Sequence, residues 1–249
     1  MKIVVVGGTG LIGSKLVNKL SDRGHEVIAA SPSRGINTLT GEGLQEALKG
    51  ASVVVDVSNS PSFEDKAVLE FFERSTRNLL ESERSAGVKH HVALSVVGTD
   101  RLTESGYFRA KLAQENLIKA SPVPYTIVRA TQFFEFLDSV VQSSVVGQTV
   151  HLPVADIQPI ASVDVAEALL QAALDKPKNG ISDIAGPKRY RFAEIVELYL
   201  KATNDARKVI SDGNARYFGT KLSDDTLVPL NKAHLGSVSF ETWFKQRSH

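Results

Sequence analysis

The chain has 249 residues, 42% of them hydrophobic and 23% charged, with a formal net charge of +1 and no cysteine. About 70% of the extended surface of such a chain is buried on folding, so its core needs no staples, and without cysteine there is no disulfide scaffold, thiol catalysis or cysteine-ligated metal centre. The balanced charge gives no field for nucleic acid, and no apolar run reaches the roughly 18–20 residues of a membrane span, so we expect a cytoplasmic protein that meets a small molecule and neither nucleic acid nor membrane.

The elements follow in order. Residues 3–6 form a continuous apolar run, which predicts a strand buried on both faces; glycines break this apolar start and no small-residue cleavage site follows, so it does not read as a leader. Over residues 11–23, Ile12, Leu16 and Leu20 recur at steps of four, one face of a helix that Gly24 ends. Strands are predicted at 26–30, 52–57, 90–96 and 125–129, and helices over 62–86 and 107–120. This alternation implies parallel pairing through right-handed crossovers, hence an α/β fold with a Rossmann-type doubly wound parallel sheet. After about residue 130 the rhythm changes. Short strands at 149–152, 159–161 and 181–185 mix with helices at 163–174 and 192–202, and an amphipathic segment at 240–244 follows a Tyr217-Phe218-Gly219 turn. We read a single domain, with residues 1–130 as the cofactor-binding part and residues 131–249 as a smaller lobe for substrate or partner.

The most informative motif is Gly7-Gly8-Thr9-Gly10-Leu11-Ile12-Gly13, between the first strand and its helix. Gly7, Gly10 and Gly13 let the backbone approach a pyrophosphate, while Thr9, Leu11 and Ile12 bring amides and the positive helix end to it. A glycine-rich turn that only packs helix against strand would look similar, but strand, triplet and helix in this order favour a dinucleotide. The second strand ends in Ser31-Pro32-Ser33-Arg34, without the carboxylate that would bond the ribose of NAD. Two hydroxyls and a guanidinium suit a 2′-phosphate, so NADP(H) is preferred over NAD(H), although a solvated Ser-Pro-Ser turn reads the same way. Ser58 and Asn59, after the third strand, are expected either to complete the groove or to cap a turn.

Tyr107 and Lys111 stand four residues apart on one helix face, with Ser95 upstream at a strand end. A phenol as acid, an ammonium lowering its pKa and a hydroxyl polarising a carbonyl make a workable reduction set. The same spacing also arises from packing alone, and Lys111 could serve only to hold a ribose. Here the chain resembles the short-chain dehydrogenase/reductase superfamily, and within it the atypical, NmrA-like branch of NAD(P)H-binding proteins. The resemblance runs from Met1 to about Leu174, on VVVGGTGLIG, LSVVGTD, YFRAKLAQE, PYTIVRATQFFEF and QPIASVDVAEAL. It implies that Gly7, Gly10 and Gly13 bind pyrophosphate, that Tyr107, Lys111 and Ser95 are catalytic, and that the stretch from Arg129 to Phe133 lines the nicotinamide side. Some members of that branch bind the cofactor as redox sensors.

Gln132, Phe133, Phe134 and Tyr217, with Phe136 and Phe218, are the candidate substrate wall, although most of these rings could equally be core. His90 and His91 adjoin on one strand and point to opposite faces, and His25, His151, His234 and His249 show no ligand spacing, so no metal is expected. A hydrolase elbow and a P-loop lysine are also missing. The sequence reads as an NADP(H)-dependent oxidoreductase acting on a carbonyl- or quinone-type small molecule. The alternatives are a non-catalytic NADP(H) sensor with a protein partner and a nucleotide-sugar epimerase or dehydratase.

Overall fold

A computed structural model describes residues 1–247; His249 lies outside the described residues. The first half of the chain runs β1 (Lys2–Val6), α1 (Leu11–Asp22), β2 (Glu26–Ala30), α2 (Leu44–Leu48), β3 (Val53–Asp56), α3 (Asp65–Ala86), β4 (His90–Val96), α4 (Gly106–Ala120) and β5 (Tyr125–Ala130). It continues through α5 (Leu137–Ser144), β6 (Val145–Val146), β7 (Thr149–Leu152), β8 (Asp156–Ile157) and α6 (Ser162–Leu174). Last come β9 (Gly180–Ala185), β10 (Tyr190–Arg191), α7 (Phe192–Ala202), β11 (Lys208–Ser211), β12 (His234–Leu235) and α8 (Phe240–Arg247).

Seven strands make the main sheet in the order β12-β9-β5-β4-β3-β1-β2, and every neighbouring pair is parallel. Alternation along the strands decides the two faces. Ile3, Val5, Val53, Val55, Val92 and Val128 meet Ile12, Leu16 and Leu20 of α1 and Val165 and Leu169 of α6. Val4, Val6 and Val54 point the other way, onto Leu44, Leu48 and Leu79 of α2 and α3. Both faces are covered, which is why the central strands are unbroken apolar runs. The strand order reverses between β1 and β3, so a crevice opens beyond their carboxyl ends.

One predicted strand is absent from the structure. Residues 159–161 are not a strand: Ile160 makes a single bridge to Phe133, while β8 lies just upstream and pairs with β10. Pro159 has no amide hydrogen to continue a ladder. From the second half of the chain, β9 and β12 join the main sheet and α6 packs on its face. The rest of the second half, with β6, β7 and β11 as a small sheet, gathers around Phe134, Phe192, Tyr199 and Trp243. Its irregular tail is tied to the loop after β4 by Arg101, whose Nη2 donates to the carbonyls of Asp225, Thr226 and Val228 at 3.4, 3.0 and 2.9 Å. Among the described residues no helix is long and apolar enough to cross a membrane.

Candidate functional site

The turn after β1 sits at the reversal of strand order. Gly7 takes a left-handed conformation, φ 77°, and the Gly7 and Gly8 amides donate to the Ala30 carbonyl at 3.0 and 3.2 Å. A Cβ on Gly7 would lie 2.9 Å from the Ser58 backbone, and one on Gly13 would lie 2.1 Å from the Gly7 carbonyl oxygen. Packing alone therefore demands both glycines, as the plainer reading of the motif allows. Gly10 differs. A Cβ there would meet nothing nearer than the Gly7 oxygen at 3.4 Å, and Thr9, Gly10 and Leu11 are all exposed. Gly10 starts α1 with no side-chain cap and no acidic residue in the first turn, while Ile12 buries its side chain beneath. The helix thus offers an open, electropositive end that, among the described residues, carries no side-chain cap and no acid in its first turn, and the donor set is backbone amides. That cradle fits a pyrophosphate.

Past β2, the Ser31 and Ser33 hydroxyls lie 2.9 Å apart, and Arg34 closes a 3-10 turn of Pro32–Arg34. The Arg34 side chain is exposed and has no ion-pair partner among the described residues. After β3, Asp56 accepts from the amide and hydroxyl of Ser58 at 2.9 and 2.6 Å, and Asn59 accepts from the Ser60 amide at 3.0 Å. Both Ser58 and Asn59 are doing turn-capping work beside the crevice.

Tyr107 lies in the first turn of α4 among Phe63, Phe72 and Phe108, with ring centres 5.7, 6.1 and 5.4 Å away. Burial pushes its phenol up to about 12, and no cation offsets the rise. Lys111, one turn further on, is only 3% exposed. Its Nζ donates to the Leu94 carbonyl at 2.8 Å and to Gln114 Oε1, and lies 4.5 Å from the Phe72 ring centre. Burial lowers Lys111 to about 8, against the opposing pull of Asp56 and Glu115. The expectation that this ammonium depresses the phenol is therefore corrected. A buried ammonium must find acceptors, and Leu94 and Gln114 supply them away from the phenol.

Ser95 is corrected more sharply. Its hydroxyl donates to Glu115 Oε1 at 2.7 Å, and Arg129 donates to both oxygens of the same carboxylate at 2.8 and 2.7 Å. Burial raises the Glu115 pKa, but the hydrogen bonds from Arg129 and Ser95 outweigh it and hold the carboxyl below its ordinary value. At 2% exposure Ser95 donates its hydroxyl hydrogen to the carboxylate of a buried Glu115–Arg129 ion pair and is not a donor free for a carbonyl.

Beyond β5 the candidate wall divides. Phe134, 1% exposed, stacks on Trp243 at 5.4 Å and meets Phe240 at 5.9 Å, so it is core and not substrate wall. Phe133 stacks at 5.5 Å on Phe136, which is half-exposed. Tyr217, held in a tight turn, packs on Phe192 at 5.9 Å; burial and the nearby Tyr107 phenol both raise its pKa. The tail thus brings a second phenol to the first. Gln132 has both side-chain amide atoms buried with no hydrogen-bond partner.

Sequence reasoning missed Asp56 and Gln114. Gln114 donates to Asp56 at 3.0 Å and accepts from Lys111, so one buried chain links Ser58, Asp56, Gln114 and Lys111. The available signal was the lone carboxylate in the otherwise apolar run of β3. His90 bonds Thr126 and His91 bonds Glu83, each at 2.8 Å.

Comparison with known proteins places this geometry in context. Residues 7–176 match a family described as NAD(P)H-binding. The photosystem II assembly factor Ycf39 of Cyanophora paradoxa is 23% identical over 84% of this chain and 71% of its own. A chloroplastic divinyl chlorophyllide a 8-vinyl-reductase of Cucumis sativus is 30% identical over 74% of this chain, which spans about half of that protein, 52%. A short-chain dehydrogenase/reductase superfamily protein from Agrobacterium tumefaciens, solved with bound NAD, superposes with a TM-score of 0.73 at 16% identity, over 99% of this chain and 95% of that one.

Proposed function

The chain belongs to the NAD(P)H-binding family, and from that premise we propose that it is an NADP(H)-dependent oxidoreductase that reduces a carbonyl- or quinone-type small molecule. The observation that carries the reading is the start of α1, uncapped and acid-free, with Gly10 open at the reversal of strand order. Residues 7–13 would hold the pyrophosphate. Arg34 supports NADP over NAD, because a free guanidinium stands where an acid would bond the ribose of NAD.

The bound dinucleotide supplies a hydride. The chain's own task is to receive charge on the substrate oxygen. Tyr107, held near 12 by burial, stays protonated at neutral pH, so it can donate a hydrogen bond and then a proton to an oxygen that becomes more basic than itself. Tyr217, raised in the same direction, is the second donor. The exposed rings of Phe63, Phe136 and Phe218 support an apolar, flat substrate.

A second reading, a sensor that binds NADP(H) and engages a protein partner without turnover, is favoured by one observation. Ser95 is committed to Glu115 and Lys111 to Leu94, so the three expected catalytic groups do not converge. A relative named as an assembly factor agrees with it. The deciding experiment measures NADPH consumption across aldehydes, ketones and quinones. Turnover that falls by about a hundredfold or more in Tyr107→Phe, yet survives within a few-fold in Ser95→Ala, is the expected result. Tight NADPH binding with no turnover on any member of the panel selects the sensor.

A further inference from the structure

Phe218 breaks a pattern that the rest of the chain keeps. Among the described residues, every other position with a positive φ is a glycine or an asparagine, the residues that tolerate the left-handed region. Phe218 takes φ 46° there, and Gly219 follows at 81°. Tyr217 and Thr220 close the turn by exchanging both backbone hydrogen bonds, at 2.9 and 3.0 Å. A two-residue turn with both central residues left-handed favours Asn-Gly, because a short polar side chain bears that backbone and a large ring does not. The ring gains little burial in return. It is 57% exposed, and the only aromatic ring it meets among the described residues is that of Tyr217, edge-to-face at 4.7 Å. A strained backbone that presents an exposed ring points to a contact made with something outside the chain.

The moorings of the turn place that contact beside Tyr107. Arg216, just before the turn, donates to the Gly219 carbonyl at 3.1 Å and to Glu104 Oε2 at 3.2 Å. Glu104 lies on the loop that enters α4, three residues before Tyr107. Tyr217 is close enough to feel the Tyr107 phenol, and Phe63, 61% exposed, borders Tyr107 at 5.7 Å. Each of the two phenols therefore has an open phenylalanine ring next to it. An edge-to-face contact covers at most one face of a ring, so Phe218 keeps a face free to stack on another ring. We propose that Phe218 stacks on an aromatic ring of the substrate and selects aryl-bearing substrates over saturated ones of the same size. The inference rests on the reading that Tyr107 and Tyr217 face the substrate oxygen, and it narrows an apolar substrate to an aromatic one.

The test is a binding measurement that needs no turnover. Calorimetry on the full chain, saturated with NADP+ or with NAD+ if that binds more tightly, compares 2-naphthol with its saturated counterpart, trans-decahydro-2-naphthol. Both offer a hydroxyl to the phenols, and only the first has an aromatic face to stack. The wild type is expected to prefer 2-naphthol by about tenfold, the range of one aromatic pair. Phe218→Asn, which suits the turn, should lose that preference while its melting temperature holds or rises by about 2–4 °C. Phe218→Trp should keep the preference. Equal affinity of the wild type for the two alcohols overturns the proposal, and so does an asparagine variant that keeps the preference. A melting temperature that falls in the asparagine variant, with both alcohols weakened alike, overturns it by assigning the ring to the fold. Binding of neither alcohol also overturns it, and leaves the exposed ring to the protein partner of the sensor reading. The redox reading is decided separately: it fails if no carbonyl or quinone is turned over, whether or not 2-naphthol is preferred.

Discussion

Lys111 keeps an ammonium inside the protein because the Leu94 carbonyl and the Gln114 amide oxygen accept from it, and Gln114 is in turn anchored to Asp56. The arrangement leaves a signature in pH. Lys111 titrates near 8 in the fold, below its ordinary 10.5, so between those values the unfolded chain binds more protons. Stability therefore rises as pH climbs from about 8 to about 10, by roughly 3 kcal/mol from this group. Tyr107 acts oppositely at higher pH: its pKa is raised to about 12, so its contribution is lost as pH climbs from about 10 through 12. Chemical denaturation at pH 7, 8, 9 and 10 is expected to show the first rise in the wild type and not in Lys111→Met. A parallel pair of curves would remove the lysine from the account. None of this was legible in Tyr-x-x-x-Lys, because spacing places two side chains on one helix face without saying which acceptors each will reach. The same limit hid the fate of Ser95: a serine at a strand end reads alike whether it faces a substrate or Glu115.

At the scale of elements the sequence was far more readable. β2, β4, β7 and α7 fall on their expected residues, because apolar runs covered on both sides and four-step apolar faces depend on local pattern alone. The elements missed, among them α2, β11 and β12, are short and owe their form to neighbours. β12 exists only as the partner of β9, and β11 only as that of β7. The glycine turn lies between these cases: its place was legible, but the division of labour was not, with Gly7 and Gly13 shaped by packing and Gly10 left open. The end of β2 carries a prediction of its own. Replacing Arg34 by alanine should weaken NADP+ binding by about tenfold and leave NAD+ unchanged, as read by calorimetry. An equal loss for both would assign Arg34 to the turn rather than to a phosphate.

For the whole molecule, the buried pair of Glu115 and Arg129 joins α4 to β5, and Ser95 extends the join to β4. Glu115 is 1% exposed in its side chain and Arg129 9%. Removing Glu115 leaves the Arg129 guanidinium only the half-exposed Asp100, at 3.2 Å, as an ion-pair partner, so Glu115→Ala should cost about 3 kcal/mol and lower the melting temperature by about 10 °C. Glu167→Ala, which breaks exposed contacts with Lys19 at 2.7 Å, Arg23 at 3.5 Å and Gln171 at 2.9 Å, should cost less than about 1 kcal/mol. Similar losses in the two variants would deny the join its role. Arg101 makes a different kind of attachment, because all three oxygens it grips on the tail belong to the main chain. A clasp that reads backbone is indifferent to which side chains the tail carries. Residues 225–228 can therefore exchange side chains generation by generation without loosening the Arg101 grip itself, which keeps the stretch beyond Tyr217 and Phe218 moored beside the loop after β4.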